Sequence, residues 1–562
     1  MTRLDRLSFE DAGATSIPSL FNQRVEETPD AVAIRGILGE LTFSEWHSRS
    51  GSLAQLIRDQ LGRIEQERVL IWMSNDEATL FVSALQAVFN IGAVAVALDD
   101  RSTAVEAQGI IEETEPRAIL LGRQVAQNLG ERGLKDLGLA GWSPDPDPEV
   151  VYLLTVDDRC VTGAPLAWAP TAPAPGAPET WARSDHDAFI AYTSGSTGRP
   201  KGAIWSQAAV VQYAERAARA IYSLPRGGPD LGTADVLQSP IPLYTAASLI
   251  ENLYPAVFSG CSLIYEGRRF DPAASEQRMR DNGTTAYNGA PPHFAMMCDL
   301  PPGATPESLD VIVSGGSAFT APLYERMRER WPNAGIANWY GLNESGTGQT
   351  LNYGADIARV PQAIGRPIEP TEVKVVDADG NELSPGTEGE LWMRAPGQMR
   401  EYFRNPEQTA IRFHRDWLRT GDQALIDVDG VVHVVGRNEE RINRGGFKFY
   451  PAEIEAALER HEGVREATVI AVAHDTLGQD AVAFVVLADG ATVDGEELRG
   501  FCRERIAPNK VPSQVLIREQ LPRGAYGKVV RRKLRDEYEA LARTQPSQGQ
   551  PARRYNDGGT RV

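Results

Sequence analysis

The sequence predicts an α/β protein with largely parallel sheets, then a small antiparallel or barrel-like unit, then a compact C-terminal domain. Three observations predict this. Short β-rich runs alternate with amphipathic helical periods through most of the chain, the pattern of strands joined by helical crossovers. From Glu372 the runs become close-spaced and are punctuated by Asp-Gly and Pro-Gly turns. From about Glu440 to Leu541 a further α/β pattern fills about a hundred residues, the size of one domain. The length of 562 residues, at ~150 per domain, suits three or four such units.

The elements follow in order. Val69–Met73, Ala118–Leu121, Ala188–Tyr192, Ser262–Tyr265 and Val311–Ser314 read as strands, and Ser52–Leu61 and Pro322–Trp331 as helices. Leu80–Leu98 is the most membrane-like stretch, but Gln86, Asn90 and Gly92 interrupt it. It predicts a helix ending near Gly92 and a buried strand, Ala93–Leu98, in place of a membrane span. Ala164–Glu179 is rich in Pro and Ala and reads as a surface linker. Glu372–Val376, Gly389–Arg394 and Val431–Val435 read as the close-spaced strands. Pro451 suits the first position of a helix, Pro451–Arg460. Strands Thr468–Ala473 and Ala481–Leu487 follow, then a helix around Glu496–Ile506. The polar tail, 542–562, reads as disordered.

Composition narrows the function. The net charge of −19 argues against a general nucleic-acid or anionic-membrane binder, since both need a basic face. An anionic substrate must then be held by local backbone N–H groups and a few placed cations. Cys160, Cys261, Cys298 and Cys502 lie far apart with no C-x-x-C, which predicts buried thiols in a reducing compartment. Met1–Glu10 has no apolar core of a secretory signal, so a cytoplasmic location is expected.

The strongest local signal is Tyr192-Thr-Ser-Gly-Ser-Thr-Gly-Arg-Pro-Lys-Gly202. Gly195 and Gly198 permit positive φ, so consecutive N–H groups can face one anion. Thr193, Ser194, Ser196 and Thr197 add hydroxyls, and Lys201 adds charge. The chemistry suits a polyphosphate, yet the spacing is not that of a Walker A loop. Taken alone, the segment also suits a strand–helix connection with no ligand.

This loop resembles the signature of the adenylate-forming superfamily, which contains acyl- and aryl-CoA synthetases, peptide-synthetase adenylation domains and beetle luciferases. Further segments resemble that family in the same order, over roughly Leu41–Leu534. Asn338-Trp-Tyr-Gly-Leu-Asn-Glu344 is similar to its aromatic-Gly-x-Thr-Glu motif. The resemblance gives Asn338, Tyr340 and Gly341 to the adenine side and Glu344 to Mg²⁺; Asn343 departs from the usual Thr. Ser314-Gly-Gly-Ser-Ala318 puts Gly315, Gly316 and Ser317 along the adenine and acyl pocket, although alone it is equally a plain turn. Leu418-Arg-Thr-Gly-Asp422 implies that Asp422 accepts from the ribose hydroxyls, with Arg437 as a second contact. Glu439 falls at the family hinge. Gly445 and Gly446 would line a pantetheine tunnel. Arg523-Gly-Ala-Tyr-Gly-Lys528 implies that Lys528 is the catalytic lysine, bridging substrate carboxylate and α-phosphate.

The resemblance implies an α/β fold of two α/β subdomains plus a small β-barrel-like subdomain within 1–438, and a mobile α+β domain within 439–541. It implies an AMP-forming ligase using ATP and Mg²⁺, with Thr193, Glu344 and Lys528 at the centre. CoA is the expected co-substrate and a small-molecule carboxylic acid the expected partner. Pro242-Leu-Tyr-Thr-Ala-Ala-Ser248 aligns with a pocket segment, so Tyr244, Thr245, Asn288, Gly315 and Gly341 are the candidate acid-binding residues, with His293 either in the pocket or an ordinary capped residue. Thr245 stands where CoA ligases often have His and where α-amino-acid-activating domains have Asp, which disfavours an α-amino acid. Three alternatives stay open: loading a carrier protein or forming an amide, activating a small oxyanion such as nitrite for N–N bond formation, and a non-catalytic nucleotide-binding module.

Overall fold

A computed structural model of the chain describes residues 16–145, 147, 149–169, 181–193, 201–228, 230–301, 303, 306–437, 440–445, 447–474, 476–524 and 529–544. Two compact units result, one ending at Val435 and the other beginning at Gly436.

The first unit contains two large sheets. One has eight strands, in the order Glu401–Tyr402, Lys201–Ser206, Asp187–Thr193, Val94–Ala97, Arg68–Trp72, Ala118–Gly122, Val151–Asp157 and Cys160–Trp168. Its four central members run parallel. They read as unbroken apolar runs because both faces are covered. The other sheet has nine strands. Gly335–Leu342, Val311–Gly315, Ala286–Gly289, Val236–Ser239, Ser262–Tyr265 and Val32–Gly36 are its parallel heart. Thr347–Asn352 and Arg366–Pro367 continue it antiparallel on one side, and Gly39–Thr42 on the other.

Both sheets contribute to one core around the helix Ala78–Asn90, every residue of which is buried. A helix apolar all round belongs in an interior. The Trp46 indole N–H anchors it by donating to the Val82 carbonyl at 2.9 Å. The helix ends where Gly92 takes φ +69°, as expected, and among the described residues no helix is long and apolar enough to cross a membrane.

A third, antiparallel sheet of Glu372–Val376, Gly389–Arg394, Trp417–Ile426, Phe413–His414 and Val432–Arg437 forms the partly barrel-like unit. The Asp-Gly turns punctuate it: Gly380 and Gly430 sit at φ +86° and +82°. The second unit packs the strands Ile442–Arg444, Phe447–Phe449, Val464–His474, Gly478–Leu487 and Gln514–Arg518 with the helices Pro451–Leu458 and Gly495–Arg503. The last helix, Arg531–Thr544, runs three residues into the stretch expected as tail, in line with the helix-forming Leu541, Ala542 and Arg543. Residues 545–562 lie outside the described residues.

Two expectations need correction. The Pro/Ala-rich stretch begins inside a strand, Cys160–Trp168, because an edge strand tolerates Pro165 where its pairing register breaks. Its remainder, 170–180, is outside the described residues. Cys160 is exposed and Cys298 half-buried, so only Cys261 and Cys502 are buried thiols.

One aromatic pair fixes the register that matters for the site. Phe189 lies opposite Trp205 across the antiparallel strands Asp187–Thr193 and Lys201–Ser206, with buried rings 4.8 Å apart. Trp205→Ala should remove about 3–5 kcal/mol from the first unit, read as a lower urea midpoint. An unchanged midpoint would show that the pair does not hold this hairpin.

Candidate active site

The phosphate-loop segment is the connection of a β-hairpin. Thr193 ends one strand and Lys201 begins the next, and the two lie directly opposite each other. The chain therefore enters a strand after the loop, and an anion held there would rely on loop N–H groups, hydroxyls and Lys201. Ser194, Gly195, Ser196, Thr197 and Gly198 lie outside the described residues. Lys201 Nζ donates to Gln408 Oε1 at 2.6 Å and lies 5.4 Å from the centre of the Tyr402 ring, within cation–π range. Tyr402 gets there because Glu401–Tyr402 pairs with the edge of the Lys201 strand.

Glu344 meets the hydroxyl of that ring. It sits in the turn Asn343–Ser345, where the Ser345 hydroxyl accepts from Leu342 N–H at 2.9 Å. The buried Glu344 accepts at Oε1 from the Tyr402 hydroxyl at 2.5 Å and from Arg412 at 3.4 Å. Burial and then the Glu344 charge push the Tyr402 phenol far above its ordinary pKa, so it remains a donor. Loop cation, aromatic ring and acid thus form one chain of contacts. Among the described residues no group of three or more His, Cys, Asp or Glu could hold a metal. A single carboxylate fits Mg²⁺ only when nucleotide phosphates and waters supply the other ligands, which is how Mg²⁺ is commonly held.

Tyr340 and Asp422 meet directly. The Tyr340 hydroxyl donates to Asp422 Oδ2, and the buried Asp422 accepts this on a strand turned by Thr420, whose hydroxyl takes the Asp422 N–H at 3.1 Å. The two residues assigned to nucleoside binding are therefore neighbours. Asn338 is buried and donates to the Ala363 carbonyl at 3.1 Å. Gly341 and Gly315 are glycines for packing reasons. A Cβ on Gly341 would lie 1.5 Å from the Thr347 carbonyl oxygen, and one on Gly315 would lie 2.2 Å from the Trp339 ring. Gly316 is exposed at φ +80°, with Ser317 half-buried beside it.

The candidate acid pocket is mixed. Tyr244 accepts at its hydroxyl from Arg101 at 2.8 Å, and Asp99 braces Arg101. The Thr245 hydroxyl donates to Pro242 O at 2.7 Å and accepts from Ser248 N–H at 3.1 Å, so it shapes the entry of the next helix. His293 is buried and accepts the Ala290 N–H at its Nδ1, 3.0 Å away, as a capped residue. Asn288 donates to Asn252 Oδ1 at 2.8 Å.

Beside Asn252, in the π-helical segment Ser248–Leu253, stands a carboxyl that sequence reasoning missed. Glu251 is 1% exposed. It accepts at Oε1 from Gly348 N–H at 2.8 Å, and Gly348 pairs with Gly341 across the hairpin. Burial raises its carboxyl to about 7, against the pull of Thr347, Gly348, Asn288 and Tyr213. Tyr402, Gln408 and Arg412 were missed as well. Nothing local marks any of them, because each meets its site partner only through the fold.

Arg437 is exposed at the end of Val432–Arg437, in the second unit, and Gly445 makes a turn there at φ +60°. Glu439, Gly446 and Lys528 lie outside the described residues.

Glu251 yields a pH prediction. An acid whose pKa is raised in the folded state favours folding at low pH, and that contribution is lost as pH rises to the folded value. The unfolding free energy of the native chain, relative to Glu251→Gln, should fall between about pH 4.5 and about pH 7 and level off above. Urea titrations across this range check it; a flat difference would contradict the raised pKa.

Comparison with known proteins gives the family. The family model for AMP-binding enzymes matches residues 21–403, and that for the AMP-binding enzyme C-terminal domain matches 453–528. The chain is 28% identical to 2-succinylbenzoate–CoA ligase of Geobacillus kaustophilus, over 93% of this chain and 98% of that protein. It is 30% identical to a long-chain-fatty-acid–CoA ligase of Bacillus subtilis, over 63% and 62% of the two chains. The structure of ATP-bound MatB from Rhodopseudomonas palustris superposes with a TM-score of 0.77 at 26% identity, covering 93% of this chain and 99% of that one. With both family models matched in order, the chain belongs to the AMP-binding enzymes, the adenylate-forming family that its loops resemble.

Proposed function

We propose that the chain joins a small-molecule carboxylic acid to the thiol of CoA through an acyl-adenylate. A carboxylate oxygen attacks the α-phosphorus of ATP, the bond to the β-phosphate oxygen breaks, and pyrophosphate leaves. The thiol sulfur then attacks the acyl carbon, the thiol proton passes to solvent, and AMP leaves with the former carboxylate oxygen. The observation that carries this reading is the contact chain Lys201–Tyr402–Glu344, which joins the end of the anion loop to the acid. The CoA-ligase relatives support the choice of acceptor.

The first step brings two anions together, so the residues must offset charge and fix orientation. Thr193 to Gly198 and Lys201 would hold the phosphates, and Glu344 would hold Mg²⁺, which adds positive charge when bound. Tyr340 and Asn338 would flank the adenine and Gly315–Ser317 the acyl end of the nucleotide. Asp422 and Arg437 would take the ribose. Lys528, assigned by resemblance, would place its ammonium on the α-phosphate, and Gly445 and Gly446 would serve the thiol arm.

Lys528→Ala should slow pyrophosphate release by ~10²–10³, the order expected for one lost transition-state donor. Near-normal release would remove Lys528 from the chemistry. The reading as a whole is tested by pyrophosphate release with fatty and aryl acids, α-amino acids and nitrite, each with and without CoA. The expected result is release with a carboxylic acid and sustained turnover only with CoA. Turnover with an amine and no thiol, or with nitrite alone among the acids, would replace it. ATP binding with no release under any condition would make the chain a binding module.

A further inference from the structure

Buried polar atoms without hydrogen-bond partners are few in folded proteins, and each asks for a partner. Three such atoms gather beside the Gly341–Gly348 crossing: Glu251 Oε2, Asn288 Oδ1 and Thr347 Oγ1. Glu251 has its other oxygen on Gly348 N–H. Asn288 has its amide on Asn252, the neighbour of Glu251. Thr347 lies opposite Leu342 and precedes Gly348. Asn288 is the last residue but one of a parallel strand, Ala286–Gly289, beside Val311–Gly315 in the nine-stranded sheet, near the carboxyl edge where α/β sheets take their ligands.

Two groups that could neutralise Glu251, Tyr213 and Arg216, are directed elsewhere, and the Thr347 and Asn288 side chains beside it only partly offset its burial. Tyr213 carries one hydroxyl proton and lies 3.0 Å from Gly348 O but 3.5 Å from Glu251 Oε1, so the carbonyl takes it. The buried cation of this network, Arg216, donates to Thr371 at 2.8 Å and to Gln349 at 2.7 Å, with its guanidinium over the Tyr213 ring. Glu251 thus presents one acceptor oxygen with no protein donor of standard geometry. It stands six residues beyond Thr245, on the helix that the pocket segment Pro242–Ser248 opens.

We propose that Glu251 is a specificity-determining residue of the acid pocket, accepting a hydrogen bond through Oε2 from an amino or hydroxyl group carried by the acid substrate away from its reacting carboxylate. This rests on the reading of the site as an acid-activating one. The unpartnered Asn288 and Thr347 oxygens share the recognition. An acid lacking the donor leaves these atoms unpaired, which a site built for hydrogen bonding penalises more than a missing methylene.

The variants follow from the geometry. In Glu251→Gln, Gly348 N–H requires an acceptor and so fixes the amide oxygen, which turns the NH₂ toward the substrate. Donor then faces donor. Glu251→Met keeps the length and removes the polarity, and serves if the Gln variant does not fold. Pyrophosphate release is measured at about pH 8.5, above the raised Glu251 pKa, so that the carboxylate is the acceptor, with benzoate, cinnamate and hexanoate, each against its amino- and hydroxy-substituted forms. Native enzyme should favour a donor-bearing acid over its bare parent by at least ~10-fold in kcat/KM, one good hydrogen bond to a charged group. Both variants should lose this ratio, with Gln losing more, while thermal unfolding confirms that they are folded. A ratio equal in native and both variants overturns the role of Glu251 and leaves acid activation standing. No release with any acid overturns the underlying reading and this inference with it.

Discussion

One tight hairpin carries the site. The strand Gly335–Leu342 turns at Asn343–Ser345 and returns as Thr347–Asn352, and the two arms approach so closely at Gly341 that no side chain fits before the Thr347 carbonyl. Three contacts hang on this strip. Tyr340 reaches Asp422, Glu344 reaches Tyr402, and Gly348 N–H holds Glu251. The return costs backbone freedom: Thr347, a β-branched residue, sits at φ +72°, a region such residues rarely enter. Strain of this kind persists where surrounding structure fixes it, and functional sites are where it collects. Moving one arm by a residue would turn every side chain of the strip to the other face.

The second organising fact is how a protein of net charge −19 arranges to bind a polyphosphate. It does so by local placement. Lys201 begins the strand that follows the segment of small and hydroxyl residues, and its charge rests against Tyr402. Arg412 approaches the same acid from the helix Pro406–Arg412. Glu344 is therefore held by two donors, and its position is defined before any substrate arrives. Preorganised charge of this type needs no rearrangement at the moment of reaction. Acidity elsewhere on the surface does not compete, because screening limits the reach of exposed charges to about 10 Å at ordinary ionic strength.

Much of this was legible in the sequence. Buried parallel strands are apolar and short, so Ser262–Tyr265 could be read to the residue; close-spaced turns marked the antiparallel Glu372–Val376, and Gly92 marked the end of Ala78–Asn90 to within two residues. Contiguous motifs are what single out Thr193, Lys201, Tyr340, Glu344 and Asp422 as candidates. What stayed hidden was contact between distant residues. Tyr402 meets Glu344 from 58 positions away, and Glu251 meets Gly348 from 97. An isolated Glu in an apolar helix gives no sign of which amide it will face. The glycines illustrate the converse. Gly315 and Gly341 were assigned to the pocket by resemblance, yet an indole ring and a carbonyl oxygen are what require glycine there. Thr245 was read as a pocket residue, but its hydroxyl serves the backbone of its own turn.

In the proposed reaction an oxygen of the acid becomes bonded to the α-phosphorus of ATP. This step is tested most directly by turning over an acid labelled with ¹⁸O in its carboxylate, with ATP and CoA, and analysing AMP and pyrophosphate by mass spectrometry. The account predicts one ¹⁸O in each AMP formed and none in pyrophosphate. Label absent from AMP, or found in inorganic phosphate, would contradict it.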